Sequence, residues 1–343
     1  MEFQIGNVRV PNNICLAPMA GATTVAMRGI CHSFGSGIQP TELVSARSIL
    51  YNGVDYSFKY LVIDPEHEGV CVIQLFGGEE EDFDFAVKAI CEDERLACVD
   101  IIDINMGCPV PKVVKTGSGS AMMLNPEKAA SIARTTVKAA SAYGKPVTVK
   151  TRIGFDDSSL NGPEFVRRLA DEGIASIAVH GRTAKQMYYG DVNIPLIAQM
   201  REAVREYKIP FLANGDIKNR EDFKHMMSET DADGVMIGRA AVGNPWIFRQ
   251  LSASDEEYNL RCGKPDSDTT DIMDVMFPSE YHRKLMLLHE LELTAEYKPE
   301  KFAVSEMRSS MVQYVKGMVG GAKLKVELCS QTTINDIKNV LGV

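Results

Sequence analysis

The chain has 343 residues, 45% of them hydrophobic, and a formal net charge of −9. That is enough for one large domain and a smaller one, while no apolar run approaches the roughly 18–20 residues of a membrane span. Eight cysteines without any C-x-x-C spacing argue against a metal site, an iron–sulfur cluster or a disulfide framework, and the acidic charge does not favour nucleic acid unless a basic face is local.

In chain order, Phe3–Ile5 and Val8–Val10 flank Gly6-Asn7, a hairpin signal. Short β-branched or apolar runs then recur at 14–17, 42–45, 70–75, 101–105, 147–151, 174–179, 211–213 and 234–237. Helical patterns lie between them at 79–91, 126–142, 163–172, 195–207 and 220–229. Pro126, Pro163 and Pro195 each open one of these, as the first helical turn allows, and Asn125 is a cap. Eight strands alternating with helices before residue 245 predict an α/β fold, a (β/α)8 TIM barrel, with the hairpin covering its floor. An open doubly wound sheet would want a G-x-G-x-x-G turn after the first strand, and none is there. Residues 251–275 carry seven acids against Arg261 and Lys264 and read as an acidic linker. Helical patterns at 279–296, 301–319, 322–330 and 334–341 predict a small all-α domain over 276–343, after a barrel over 1–250. Residues 1–21 hold Arg9 but no basic leader with a long apolar stretch, which predicts a cytoplasmic protein.

The C-terminal ends of barrel strands converge on one face, where such folds do their chemistry. The run Asp103-Ile104-Asn105-Met106-Gly107-Cys108-Pro109 puts one thiol on a strand-to-loop turn, between a residue with free φ and one with fixed φ. The other ends offer Pro18-Met19, Gln74, Lys150 with Arg152, His180-Gly181-Arg182, Asn214-Gly215-Asp216 and Gly238-Arg239. Singly, each has a plain structural reading: a small buried hydrophobe at 108, a lysine neutralised by a structural acid at 150, a hydrogen-bonded core histidine at 180. Together, seven polar or Gly-rich tips are hard to explain as packing. The Gly-rich tips of the last two strands suit a phosphate, paired by Arg239. Gln74, Asn105 and Lys150 could hydrogen-bond a flat heteroaromatic ring, which describes a flavin mononucleotide (FMN) site.

These segments, taken in order with Ala17-Pro18-Met19-Ala20-Gly21, Gln74-Leu75-Phe76-Gly77 and Gly238-Arg239-Ala240-Ala241, resemble the tRNA-dihydrouridine synthases of bacterial type from about residue 5 to 250. The resemblance implies an FMN-dependent oxidoreductase that reduces the C5–C6 double bond of specific uridines in tRNA, with NADPH as electron donor. It implies hydride transfer from flavin N5 to C6 of the uracil and a proton for C5 from Cys108 as general acid. Pro18, Met19, Gln74, Lys150, His180, Asn214, Gly215, Asp216, Gly238 and Arg239 carry over as the cofactor pocket. Asn105, Arg152 and Arg182 carry over towards the uracil, and Lys112, Lys115 and Arg308 towards tRNA phosphates. The helical domain would be the RNA-binding part, although where the family usually has Arg-Lys-His this chain reads Arg308-Ser309-Ser310. No protein partner and no membrane is implied. Other readings of the same residues are an FMN barrel reducing a small molecule, such as a dihydroorotate or enone reductase, a flavoprotein that grips tRNA with weak turnover, and a Schiff-base aldolase using Lys150.

Overall fold

The structure, a computed structural model, describes residues 1–266, 269 and 271–343; Asp268 of the acidic stretch lies outside the described residues. The hairpin is β1 (Phe3–Ile5) and β2 (Val8–Val10). Eight further strands follow: β3 (Ile14–Leu16), β4 (Val44–Ser45), β5 (Val72–Phe76), β6 (Ile101–Met106), β7 (Val147–Arg152), β8 (Ser176–His180), β9 (Phe211–Asn214) and β10 (Gly234–Ile237). They form one parallel sheet in the order β3-β10-β9-β8-β7-β6-β5-β4. The segment before β4 closes it into a barrel. Gly37 N and Ile38 O pair with Ile14 O and Leu16 N on one side, and Thr41 N donates to Val72 O on the other, each at 2.9 Å. β4 is shorter than the predicted 42–45, covering only Val44 and Ser45.

The strands alternate strictly. Ile102, Ile104, Val147 and Val149 point out into the cluster shared with the helices. Val72, Ile101, Ala178, Leu212 and Met236 point in, where Ile5 and Val10 of the hairpin join them and plug the floor. Each such buried side chain contributes about 1.5–3 kcal/mol. Above that apolar layer the inward positions turn polar, with Gln74, Asp103, Asn105, Thr148, His180 and Asn214 all buried.

The outer helices are α1 (Val25–Ser33), α2 (Ala46–Leu61), α3 (Pro65–Glu68), α4 (Glu80–Glu92), α5 (Pro111–Val114), α6 (Pro126–Ser141), α7 (Gly162–Asp171), α8 (Ile194–Ala203), α9 (Arg220–Thr230) and α10 (Trp246–Ser252). α1 and α2 lie where the sequence pattern predicts no helix. Asn52-Gly53 inside α2 mimics a hairpin turn, and Gly53, at φ 77°, kinks the helix there. α8 stops at Ala203 and only a 3-10 turn reaches Tyr207, so the helix predicted over 195–207 is two pieces.

The acidic stretch is not an open linker. Ser254 caps a helix, α11 (Asp255–Arg261), whose Asp255 accepts from Arg220 and Lys224 of α9 at 2.9 and 2.6 Å. Asp266 accepts from Arg261 and from the backbone N–H groups of Met276 and Phe277. Asp255 thus pairs with two cations of α9 and Asp266 with Arg261 of the stretch itself, while Glu256, Glu257, Asp271 and Asp274 stay exposed.

Four helices end the chain: α12 (Glu280–Tyr297), α13 (Glu300–Tyr314), α14 (Gly321–Ser330) and α15 (Ile334–Leu341). α13 ends before the predicted residue 319, and Gly317 and Gly320 take positive φ in the turn that follows it. α12 packs on α1 of the barrel. At the seam the lone tryptophan, Trp246, sits edge-on to Phe34 and to Tyr314, and the Tyr314 hydroxyl donates to Glu290 at 2.6 Å. Burial pushes the Glu290 carboxyl up to about 7, against the opposing effect of that hydrogen bond. A folded value above the unfolded one gives stability that is fully present below about pH 4.5 and lost as pH rises through 7. Glu290→Gln is therefore expected to stabilise the protein at pH 8, by up to roughly 3 kcal/mol, and to do little near pH 5. Thermal melts followed by Trp246 fluorescence check this. Equal gains at both pH values would contradict it.

Candidate active site

Sheet register decides which inward side chains meet. Gln74 of β5, Asp103 of β6 and Thr148 of β7 lie side by side. One step nearer the mouth, Asn105 lies beside Lys150, then Arg152 beside His180 and His180 beside Asn214. The Asp103 carboxylate accepts from Thr148 Oγ1 at 2.5 Å and from Gln74 Nε2 at 2.6 Å. Gln74 Oε1 accepts from Asn105 Nδ2 at 2.9 Å.

Beyond β6 the chain turns at Gly107-Cys108-Pro109. Asn105 Oδ1 accepts from the backbone N–H of Cys108 at 2.9 Å and of Gly107 at 3.2 Å. Arg152 Nε donates to Gly107 O at 2.8 Å, and Ser120 N donates to Cys108 O at 3.0 Å. The backbone of the turn is held on both sides and the partly exposed thiol is left out of these bonds. Desolvation pushes the thiol pKa up, and Arg152 and Lys150 offset only part of that. A raised thiol stays protonated through neutral pH and can give a proton.

The opposite wall is cationic. Lys150, Arg152, Arg182 and Arg239 all act on His180, which burial and these charges hold well below its ordinary pKa, hence neutral. Burial and the neighbouring Arg152 push Lys150 down to about 8; its Nζ donates to Asn214 Oδ1 at 3.1 Å. Asp216 accepts from Arg182 through both carboxylate oxygens and from Arg239 at 3.0 Å, and the Arg182 guanidinium holds its carboxyl below the usual range. Gly215 has φ 132°, and a Cβ there would lie 2.7 Å from Val192 Cγ1 and 3.1 Å from His180 Cδ2, so only glycine fits. Met19 and Gly238 abut across β3 and β10, with Met19 Sδ 3.6 Å from where a Gly238 Cβ would be; Pro18 stands beside them, partly exposed.

Several sequence-predicted residues turn out to be braces. Arg182 is 2% exposed, with its donors on Asp216 and on the carbonyls of Tyr189 and Gly190, and these bonds hold the loop after β8. Arg152 is likewise committed to the carbonyls of Gly107, Thr183 and Met187. Gln74 is fully buried and its contacts go to Asp103 and Asn105, so it supports the turn from below. Lys112 and Lys115 are exposed just past the cysteine. Arg308 is exposed on α13, with no hydrogen bond to the site among the described residues. Sequence reasoning passes over Asp103 and Thr148. The signal was present: an acid inside an apolar strand is as unusual as Lys150 in its own. A groove of about 970 Å³ opens instead at the N-terminal ends of the strands, beside Asn13, His32 and Met227, away from all these groups.

A (β/α)8 barrel whose mouth carries a poised thiol and a cluster of cations defines an enzyme of the barrel type with an anion-binding site. Two solved structures share the fold: morphinone reductase in complex with tetrahydroNAD (TM-score 0.52, 13% identity, 74% of this chain and 90% of that one) and an old yellow enzyme homologue from Zymomonas mobilis (0.53, 12%, 71% and 89%). Residues 15–341 match the family model for dihydrouridine synthase (Dus). A probable tRNA-dihydrouridine synthase of Aquifex aeolicus is 34% identical over 95% of this chain and 92% of its own length. The tRNA-dihydrouridine synthase B of Pseudomonas putida is 38% identical over 76% and 72%. The chain belongs to the dihydrouridine synthase family and is an oxidoreductase.

Proposed function

We propose that this protein is a tRNA-dihydrouridine synthase, reducing the C5–C6 double bond of specific uridines in tRNA with bound FMN and with NADPH as electron donor. The observation that carries the reading is Cys108, a protonated thiol on a turn braced by Asn105 and Arg152, at the mouth of a barrel lined by cations.

The residues present fit FMN. Four cations surround a neutral histidine, and Asp216 pairs with only two of them, Arg182 and Arg239; the mouth is short of negative charge, and a phosphate supplies it. Arg239 is half exposed, held by one bond to Asp216 and stacked over Tyr188 at 4.8 Å, so it is free to turn to that phosphate. Gly215 and Gly238 let the backbone approach it, and Pro18 and Met19 wall the pocket. When bound, the flavin supplies the hydride that C6 of the uracil receives. Lys150 and His180 would hold the ring system, Asn105 would orient the uracil at the turn, and Cys108 would give its proton to C5. The target base must leave its stack to reach this depth. Exposed Lys112 and Lys115, with Arg308 of the helical part, then meet phosphates of the surrounding RNA. Such work places the protein in the cytoplasm, and among the described residues no helix is long and apolar enough to cross a membrane.

Arg239→Ala is expected to weaken FMN retention about tenfold, the loss of one charge-assisted contact, read as flavin absorbance per chain after gel filtration. Full occupancy in that variant would reject the phosphate assignment. The function itself is tested by mass-spectrometric quantification of dihydrouridine after incubation with NADPH and bulk tRNA lacking it. Product supports the reading and its position follows by fragment mapping. No product from a yellow, NADPH-oxidising protein would favour a small-molecule reductase.

A further inference from the structure

We infer that Asp103 is a positioning residue for Cys108, acting through the side-chain amides of Gln74 and Asn105; this rests on the proposed role of Cys108 as proton donor. Asp103 touches neither the turn nor the mouth. It is 3% exposed, on the inward face of β6, one residue pair below Asn105.

The argument is one of donors and acceptors. The Asp103 carboxyl is placed as an acceptor, taking bonds from Thr148 Oγ1 and Gln74 Nε2. Gln74, whose amide meets Asp103 on one side and Asn105 on the other, must therefore turn Nε2 to Asp103 and Oε1 to Asn105. Asn105 must then turn Nδ2 to Gln74, which leaves Oδ1 for the N–H groups of Gly107 and Cys108. Reversing either amide would set N–H against N–H among groups that are all buried. Asp103 thus fixes two otherwise ambiguous amides, and the second holds the backbone that carries the thiol. Burial raises the Asp103 carboxyl, and the bonds from Thr148 and Gln74 work against that rise.

Two substitutions at Asp103 separate an acceptor role from a packing role. Asp103→Asn keeps an oxygen for Gln74 and turns its NH2 to Thr148 Oγ1, which can accept. Asp103→Leu fills similar space and accepts nothing. The full-length holoprotein is compared by amide hydrogen exchange, without tRNA or NADPH, and by kinetics on tRNA. In Asp103→Leu, exchange in the peptide covering Gly107 and Cys108 should accelerate about tenfold and kcat should fall about tenfold, with the KM for tRNA within about twofold. Asp103→Asn should restore all three. Should Asp103→Leu fail to fold, Gln74→Met, which breaks the chain one link later, should loosen the same peptide. Wild-type exchange in Asp103→Leu or Gln74→Met overturns the inference, as does an Asp103→Asn protein as impaired as Asp103→Leu. Loosened exchange in a protein whose parent forms no dihydrouridine would keep the relay and overturn the reading of Cys108.

Discussion

Cys108→Ala is expected to lose dihydrouridine formation by about 10²–10⁴-fold, the usual worth of a positioned general acid, while keeping bound flavin and NADPH oxidation. The structure makes this a clean test. The bonds that hold the turn use the N–H and C=O of residue 108 and the groups of Asn105, Arg152 and Ser120. None needs the sulfur, so the backbone geometry survives its removal. The pH dependence has a definite sign. Desolvation raises the thiol pKa above its ordinary value, so the donor stays loaded through neutral pH and activity declines only as the thiolate forms on the alkaline side. Quantification of product beside NADPH oxidation in single-turnover reactions reads both halves. Unchanged product yield in Cys108→Ala would remove the thiol from the mechanism.

Arg28→Met is expected to destabilise the fold by about 3–5 kcal/mol, the loss typical of breaking a buried ion pair from one side. Arg28 and Glu68 are 2% and 1% exposed, and the guanidinium meets the carboxylate through two bonds of 2.6 and 2.9 Å. Arg28 also donates to Thr23 O and Val62 O, and Glu68 accepts from Asp64 N. One ion pair therefore ties α1 to α3 and to the loop after β3 that carries Pro18 and Met19. Left without Arg28, the Glu68 carboxylate is a buried charge with one backbone donor. The double variant Arg28→Met with Glu68→Leu should recover much of the loss, because neither charge then remains. Urea melts of the wild type and the two variants check both statements. A single-variant loss below about 1 kcal/mol, the range of exposed pairs, would mean that water reaches the carboxylate.

The site was partly legible as residues and hardly at all as contacts. The run Val147-Thr148-Val149-Lys150-Thr151-Arg152 alternates, and that alternation already puts Thr148, Lys150 and Arg152 on one face. Cys108 between glycine and proline announced a constrained turn. The resemblance carries Arg182 towards the uracil; its ion pair with Asp216 depends on the loop after β9, 34 residues further on, which no single segment shows. Composition shows the acidic stretch but not that Arg220 and Lys224 of α9 lie beside its Asp255. α2 was not among the predicted helices; its helical φ/ψ breaks at Gly53, and buried Ala46, Ile49 and Leu61 hold the two parts in place.

The order of the strands, the barrel they build and the kinds of groups at its mouth are legible in the sequence; α1 and α2 are not. What is legible follows from a period of two residues and from turn chemistry, which are properties of a single segment. Only the tertiary structure decided which donor meets which acceptor. A strand's own period says which way a side chain points but nothing of its neighbour. That is set by the register between strands, which the closure of the whole barrel fixes. One residue of slip between β5 and β6 would take Gln74 away from Asp103, and the chain of bonds that seats Cys108 would be gone.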